Sequence, residues 1–545
     1  MLPLPSSEPP TYVSLSAARA ALDVYLKNAS SLADGITAMK DSLARIVAER
    51  QAVINELRRE QHLLQETIAH TQAYLSPTRR LSSELLSEMF LWCFDGHPCC
   101  GWVLSAVCAK WRRQALNIPL IWSKIRLLTN QSSSPDTIRL WLERSGPTIP
   151  LDIEIYLRVE SCETGQHPPN LHWGHIAMYY LVQQMRRWER FVFRFDKGFG
   201  SIAALSFITG SAPLLKEFEV SSASAASYPT EWSWFPSSNR SPARTNPFPK
   251  LQTLTLQYMP FRPTAPVFLQ QLHTLNIRAL PGSVIPLDRI LGIINANKST
   301  LKSLRLHFFY VSHAMLPLPA STTLEHLEDL YVGGHHLLSQ LVGTLTIPQL
   351  RALGLDLHAP REPIEETISR LYTRSQNPLL KSLAVSYGEP SPSPFDGYVA
   401  EGRFVSWAFL GNIGETLEVL KVGGAALESL IGTLAAPDDS GPIPGGQGQP
   451  TPVWACRRLS EIYLRRCHMH AHAERDGASM LVKMVDARNP EGGGSGPGGT
   501  GAVARLMRIE LDGCGLQLGG DVVCWLEGRI GKGGLVCDET HAETL

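Results

Sequence analysis

Cys93, His97, Cys99 and Cys100 fall within eight residues, and 467-CHMHAH-472 brings a cysteine and three histidines together in six. Thiolate and imidazole are the side chains that hold zinc. Neither group shows the paired C-x-x-C spacing of a structural zinc site, and Cys467 and Cys514 stand at matching places just past Leu-patterned stretches, where a reduced thiol packs as a small hydrophobe. No metal site is expected. In 528-GRIGKGG-534 the lysine is not followed by a hydroxyl residue, so the stretch is not a phosphate-cradling loop, and no G-x-S-x-G elbow or H-E-x-x-H helix is present. The chain is therefore expected to use no cofactor and to catalyse nothing itself.

The elements around these residues point to binding. The chain has 545 residues, 44% hydrophobic and 18% charged, which predicts two or three folded units. Lysine plus arginine equal aspartate plus glutamate at 50 each, so no global field favours nucleic acid or an anionic membrane. The start, MLPLPSSEPPTY, lacks a basic segment followed by an apolar one, and no window reaches the apolar length of a membrane span. Ten cysteines in so long a chain make no disulfide framework. The expected compartment is reducing, cytoplasm or nucleus.

Residues 1–14 are expected to be disordered and 15–75 to form a long helix. Its a positions are Leu15, Leu22, Ala29, Ile36, Leu43, Arg50, Leu57 and Leu64, and its d positions Ala18, Tyr25, Leu32, Met39, Ile46, Val53, Glu60 and Thr67. An apolar stripe confined to a and d suits a partner helix, so the segment is expected to self-associate as a coiled coil; the alternative is a single helix packed on its own chain. Ser76-Pro77 ends it.

From Leu81 the apolar residues take helical spacing through 81-LSSELLSEMFLWCF-94, and a second helix is expected with Val103, Leu104, Val107, Cys108 and Trp111 on one face. The stretch 117-NIPLIWSKIRL-127 is expected to bury Leu120, Trp122 and Ile125. So short a unit cannot cover all of these side chains. The series Leu81, Glu84-Leu85-Leu86, Glu88-Met89-Phe90, Leu104, Val107-Cys108, Trp111-Arg112, Ala115, Pro119-Leu120-Trp122 and Ile125 resembles an F-box in the form common among mushroom-forming fungi, and 140-LWLERSGPTIPLDIEI-155 resembles the segment that follows it there. Ser82 stands where the pattern usually has proline; Ser82 or Ser83 can cap the helix instead. The resemblance implies an F-box over 77–128 that docks a Skp-type adaptor, and through it a cullin scaffold, with Leu81, Leu85, Leu86, Met89, Phe90, Leu104, Val107, Trp111, Leu120 and Trp122 binding the adaptor. The alternative is an isolated helical hairpin packed on the C-terminal region.

A linker helix and a first strand are expected over 129–160. Beyond them a phrase of the form L-x-x-L-x-L begins at Leu251, Leu272, Leu301, Leu327, Leu350, Leu380, Leu417, Leu459 and Leu506, with weaker copies at Trp188/Phe191/Phe193 and Leu215/Phe218/Val220. Spacings run from 21 to 30 residues in the middle to 47 near the end. This is similar to leucine-rich repeats, whose apolar residues point inward from short parallel strands. An α/β solenoid is therefore expected over 161–545, following the all-α N-terminal part. Disordered insertions are expected near 221–249, 436–452 and 489–501, the first carrying Trp232 and Trp234. Residues alternating with the apolar ones reach the opposite face of the sheet, and Arg305, His307, Tyr331, Lys421, Tyr463 and Arg465, with Trp232 and Trp234, are the expected anchors for a target protein. The implied function is that of a substrate receptor of a cullin–RING ubiquitin ligase. The alternative is a coiled-coil and repeat scaffold without ligase association.

Overall fold

A computed structural model of the chain describes residues 11–75, 77–130, 135–158, 171–195, 202–223, 225, 247–269, 271–358, 363–387, 406–435, 437–438, 453–467, 477–491, 503–514, 516 and 518–538. The chain divides into two compact units, Met1–Glu88 and Met89–Leu545. The boundary falls inside helix α2, Ser83–Gly96.

In the first unit α1 runs from Tyr12 to Leu75, 64 residues without a buried one. Its sequence is proline-free and rich in Ala, Leu, Glu, Arg and Gln, the strong helix formers. Thr11 starts it, its Oγ1 accepting from the Ser14 N–H at 3.4 Å. Residues 12–14, expected to be disordered, are thus the first turn. A 3-10 turn, Pro77–Arg80, follows the proline that stops α1. Ser82 caps α2 as expected, its hydroxyl accepting from the Leu85 N–H at 3.3 Å. A backbone N–H and the Ser82 hydroxyl hold the Glu84 carboxyl below its ordinary value.

The second unit opens with the rest of α2, then α3 (Cys100–Val107) and α4 (Ala109–Leu116). The single helix expected here is two. Cys108 is extended (φ −159°, ψ 170°) and caps α4, its sulfur accepting from the Trp111 N–H. Trp102 stands edge-on to Trp122 and Trp141, with ring centres 5.3 and 5.4 Å away, and the Trp122 indole donates to the Ala115 carbonyl at 2.9 Å. The Arg144 guanidinium lies over both Trp102 and Trp122.

Among the described residues fourteen strands then form one parallel sheet in strict chain order: β1 (Lys124–Asn130), β2 (Leu151–Arg158), β3 (Trp188–Phe195), β4 (Glu217–Ser222), β5 (Thr253–Gln257), β6 (Thr274–Arg278), β7 (Ser303–Phe308), β8 (Asp329–His335), β9 (Ala352–His358), β10 (Ser382–Ser386), β11 (Val419–Gly423), β12 (Glu461–Arg465), β13 (Arg508–Asp512) and β14 (Leu535–Asp538). Each L-x-x-L-x-L phrase supplies one strand, β5 to β13, and the two weaker copies supply β3 and β4. The return segments carry α5 (Asp136–Arg144), α6 (Leu171–Val182), α7 (Leu287–Ala296), α8 (Leu338–Thr344), α9 (Ile364–Arg374), α10 (Leu410–Ile413), α11 (Leu427–Ala435), α12 (Gly477–Arg488) and α13 (Gly520–Ile530). Register alignment makes two apolar rows across the sheet. One includes Ile125, Ile153, Phe191, Phe218, Leu254, Leu275, Leu304, Leu330, Leu353, Leu383, Leu420, Ile462 and Ile509, all buried.

Several expected boundaries move. The sheet starts at Lys124, inside the segment 77–128 expected to be helical, because Ile125 joins the apolar row. Ser221 and Ser222 are strand and Phe248 is core, so the insertion near 221–249 is shorter than expected. Pro437–Asp438 pairs antiparallel with Val453–Trp454 rather than being disordered. Asn489, placed by the sequence reading in the Gly-rich insertion 489–501, is fully buried. The stretch 528-GRIGKGG-534 is the end of α13 and its exit turn, with Gly531 at φ +119°, a backbone conformation that residues with a Cβ rarely adopt.

Candidate functional site

Side chains on the sheet face opposite the apolar rows build the candidate site. On β7 and β8, Arg305 donates from Nε and Nη2 to Asp329 Oδ2 at 3.0 and 2.9 Å, and Ser303 donates to the same oxygen at 2.9 Å. Tyr331 lies over Gly354: a Cβ there would meet the ring at 2.5 Å. Its hydroxyl donates to Asp356 Oδ2 at 3.2 Å. Burial pushes the Tyr331 phenol up, and the Asp356 charge adds to this. His307, beside Gly333, is only 7% exposed, and its Nδ1 is buried without a hydrogen-bond partner among the described residues. Burial, followed by the charge of Arg278, brings His307 down to about 4. Phe309 stands edge-on to it at 4.7 Å and His358 at 6.1 Å.

Arg305, His307 and Tyr331, expected as target anchors, are thus brought together, with Arg305 exposed and Tyr331 partly so. His307 is interior rather than open. Lys421, Tyr463 and Arg465 form a second group on β11 and β12. Lys421 Nζ stands 4.7 Å over the Tyr463 ring, the Tyr463 hydroxyl donates to Glu461 at 2.7 Å, and Arg465 pairs with Asp512 at 3.1 Å. The hydrogen bond to Glu461 raises the Tyr463 phenol. Between the groups, β9 and β10 present Gly354, Ala384 and Ser386. At the usual strand spacing, β8 and β11 lie about 14 Å apart, so an extended segment of a partner could touch both groups. Trp232 and Trp234 lie outside the described residues.

An ion-pair ladder across β1 to β4 escaped the sequence reading. Arg126 binds Asp152 and Glu154, Arg190 binds Asp152, Glu154 and Glu217, and Arg194 binds Glu154 and Glu219, all within 3.3 Å. Burial opposes the charge on Arg190, but Glu154, Glu217 and Asp152 outweigh it and raise its pKa. A groove of about 340 Å³ beside the ladder is lined by residues including Tyr156, Arg194, Glu219, Thr255 and Gln257. The available signal was charge at alternating positions, 152-DIE-154, 190-RFVFR-194 and 217-EFE-219, with the sign reversing between consecutive strands.

The residues expected to bind an adaptor divide. Leu86, Phe90, Leu104 and Trp122 are buried, Leu81 and Trp111 are intermediate, and Leu85, Met89, Val107 and Leu120 are exposed. Phe90 packs on Trp111 with ring centres 5.2 Å apart. Leu120, expected inside, is outside because it sits in the 3-10 turn Pro119–Trp122 that turns Ile121 and Trp122 inward. Trp92, Val103 and Leu116 add to the exposed apolar residues, Trp92 at 78%.

Cys467 and Cys514 occupy their matching places, donating to the Val422 and Leu464 carbonyls at 3.4 and 3.2 Å. Cys99 donates to the Arg126 carbonyl and Cys100 is buried. Among the described residues no group of three or more His, Cys, Asp or Glu side chains could hold a metal, and no helix is long and apolar enough to cross a membrane. No protein-family model matches the chain, and neither does any curated protein.

Proposed function

We propose that the chain is a substrate receptor of a cullin–RING ubiquitin ligase. In this reading α2 to α4 and the following 3-10 turn are an F-box that docks a Skp-type adaptor, the fourteen-stranded sheet with its return segments is a leucine-rich-repeat solenoid, and α1 associates with another helix. Target ubiquitination would follow from holding target lysines close to a charged conjugating enzyme. The observation that carries the reading is the exposure of Met89, Val107 and Leu120 within the ordered F-box series of residues, with Trp92, Val103 and Leu116 exposed on the same short segments. The two groups on the far face of the sheet, around Tyr331 and Tyr463, combine arginine and tyrosine as protein-binding faces do.

The test is co-purification of the full-length chain with a Skp-type adaptor. Truncation at such contacts typically costs about 1–2 kcal/mol each, so Met89→Ala with Val107→Ala should lower adaptor recovery more than about tenfold. The circular dichroism of the chain should stay unchanged. Undiminished recovery with the fold intact would end the ligase reading.

A further inference from the structure

The seam of α1 carries two charged interruptions, Arg50 at an a position and Glu60 at a d position. Both are exposed, and within the described residues neither has an ion-pair partner. The apolar seam residues beside them, Leu43, Ile46, Val53, Leu57 and Leu64, are each more than half exposed. A parallel, in-register pair of such helices would face Arg50 with Arg50 and Glu60 with Glu60, placing like charges in two core layers. An antiparallel pair opposes a with d, and the heptad allows only registers that differ by seven residues.

We infer that α1 pairs antiparallel with α1 of a second copy of this chain, in the register that sets Arg50 of each copy against Glu60 of the other. This rests on the reading of α1 as an association helix given above. In this register Val53 meets Leu57 of the second copy, Ile46 meets Leu64, Leu43 meets Thr67, Met39 meets Thr71 and Ile36 meets Tyr74, each twice by symmetry. The neighbouring registers set Arg50 against Val53 or Thr67 and leave every charge unpaired.

Three further observations fit this register. Leu75, the last residue of α1, falls opposite Gly35, so the paired stretch ends where the sequence places the one glycine of the helix. The Thr67 and Thr71 hydroxyls already donate to the carbonyls of Leu63 and Thr67, both at 2.8 Å, so each threonine can enter an apolar seam through its methyl group. Ile54 meets its own copy on one flank of the two-fold axis. On the other flank Glu56 meets Glu56, and each has its own Arg59 at 3.8 Å. The overlap of residues 35–75 is about 60 Å long, and the two chains leave it at opposite ends.

Sedimentation equilibrium of the full-length chain tests this. The wild-type chain should be a dimer. Arg50→Glu turns two attractive contacts into two repulsive ones and should raise the dissociation constant about tenfold or more. Adding Glu60→Arg to it should restore the constant to within about threefold of wild type. A parallel dimer would respond to neither change, since each only exchanges one like-charge layer for another. Helix content by circular dichroism checks that each variant keeps α1. A dimer unaffected by Arg50→Glu, or weakened by it and not restored by the second change, overturns the antiparallel register and leaves self-association standing. A wild-type trimer also overturns it, and a wild-type monomer overturns self-association as well.

Discussion

His307 shows what one interior polar side chain does to a binding face. Its ring is nearly inaccessible and Nδ1 has no partner among the described residues, so the surroundings favour the neutral imidazole. Its pKa falls from the ordinary 6.5 to about 4. The unfolded chain therefore takes up the proton first as the pH drops, and the stability His307 contributes is present above pH 6.5 and lost as the pH falls through 4. The gap is worth at most about 3 kcal/mol. Arg278 and His358 add to the shift, while Asp356 and the backbone of His307 itself oppose it. Urea unfolding of the sheet should lose that stability between pH 6.5 and 4 in the wild-type chain, and His307→Gln should flatten this part of the profile. An unaltered pH profile in the variant would remove His307 from the account.

At the scale of elements, the return segments are tied to the strands by polar residues at helix ends. Asn297, at the end of α7, accepts from the Leu272 N–H at 2.9 Å and donates to the Phe268 and Ile293 carbonyls. Asn489, following α12, accepts from the Leu506 N–H at 2.8 Å and donates to the Leu506 and Arg529 carbonyls. Ser375, following α9, accepts from the Ile347 N–H at 2.9 Å. Arg488, 2% exposed, donates to the Leu434, Ala455 and Cys456 carbonyls, and burial brings its pKa down to about 10. Each bond satisfies a backbone group that the irregular returns would leave unpaired. Asn297→Ala and Asn489→Ala should each destabilise the sheet by about 2–3 kcal/mol, because truncation strands buried donors and acceptors. Denaturant midpoints measure this, and a loss below about 0.5 kcal/mol in both would show that water replaces the amide.

At the scale of the whole molecule, the proposal separates three surfaces: the α1 seam, the apolar residues of α2 to α4, and the polar face of the sheet. Tyr463→Ala with Arg465→Glu should therefore release a bound target while adaptor recovery stays at the wild-type level. Deletion of residues 492–500, outside the described part, should affect neither. Quantitative co-precipitation reads both partners together. A target retained by the double variant and lost on the deletion would mean that the sheet face had been chosen wrongly.

Period and spacing were enough to reach α1, because a 3.5-residue apolar repeat without proline has no other local solution, and Ser76-Pro77 marks its end. The nine leucine phrases likewise announced nine strands, since alternation and a fixed phrase are local properties. Local pattern could not say where the sheet begins: Ile125 reads as part of a short apolar run and becomes a strand only because β2 lies beside it. Nor could it separate Leu85 from Leu86, or Leu120 from Trp122, into outside and inside, since adjacent apolar residues differ only in which neighbours surround them. The ion-pair ladder, the neutral His307 and the buried Asn489 belong to tertiary structure for the same reason. The ladder and Asn489 depend on register between strands or on the end of a helix 17 to 40 residues away in sequence, and charges and amides are placed by their partners rather than by their neighbours in the chain.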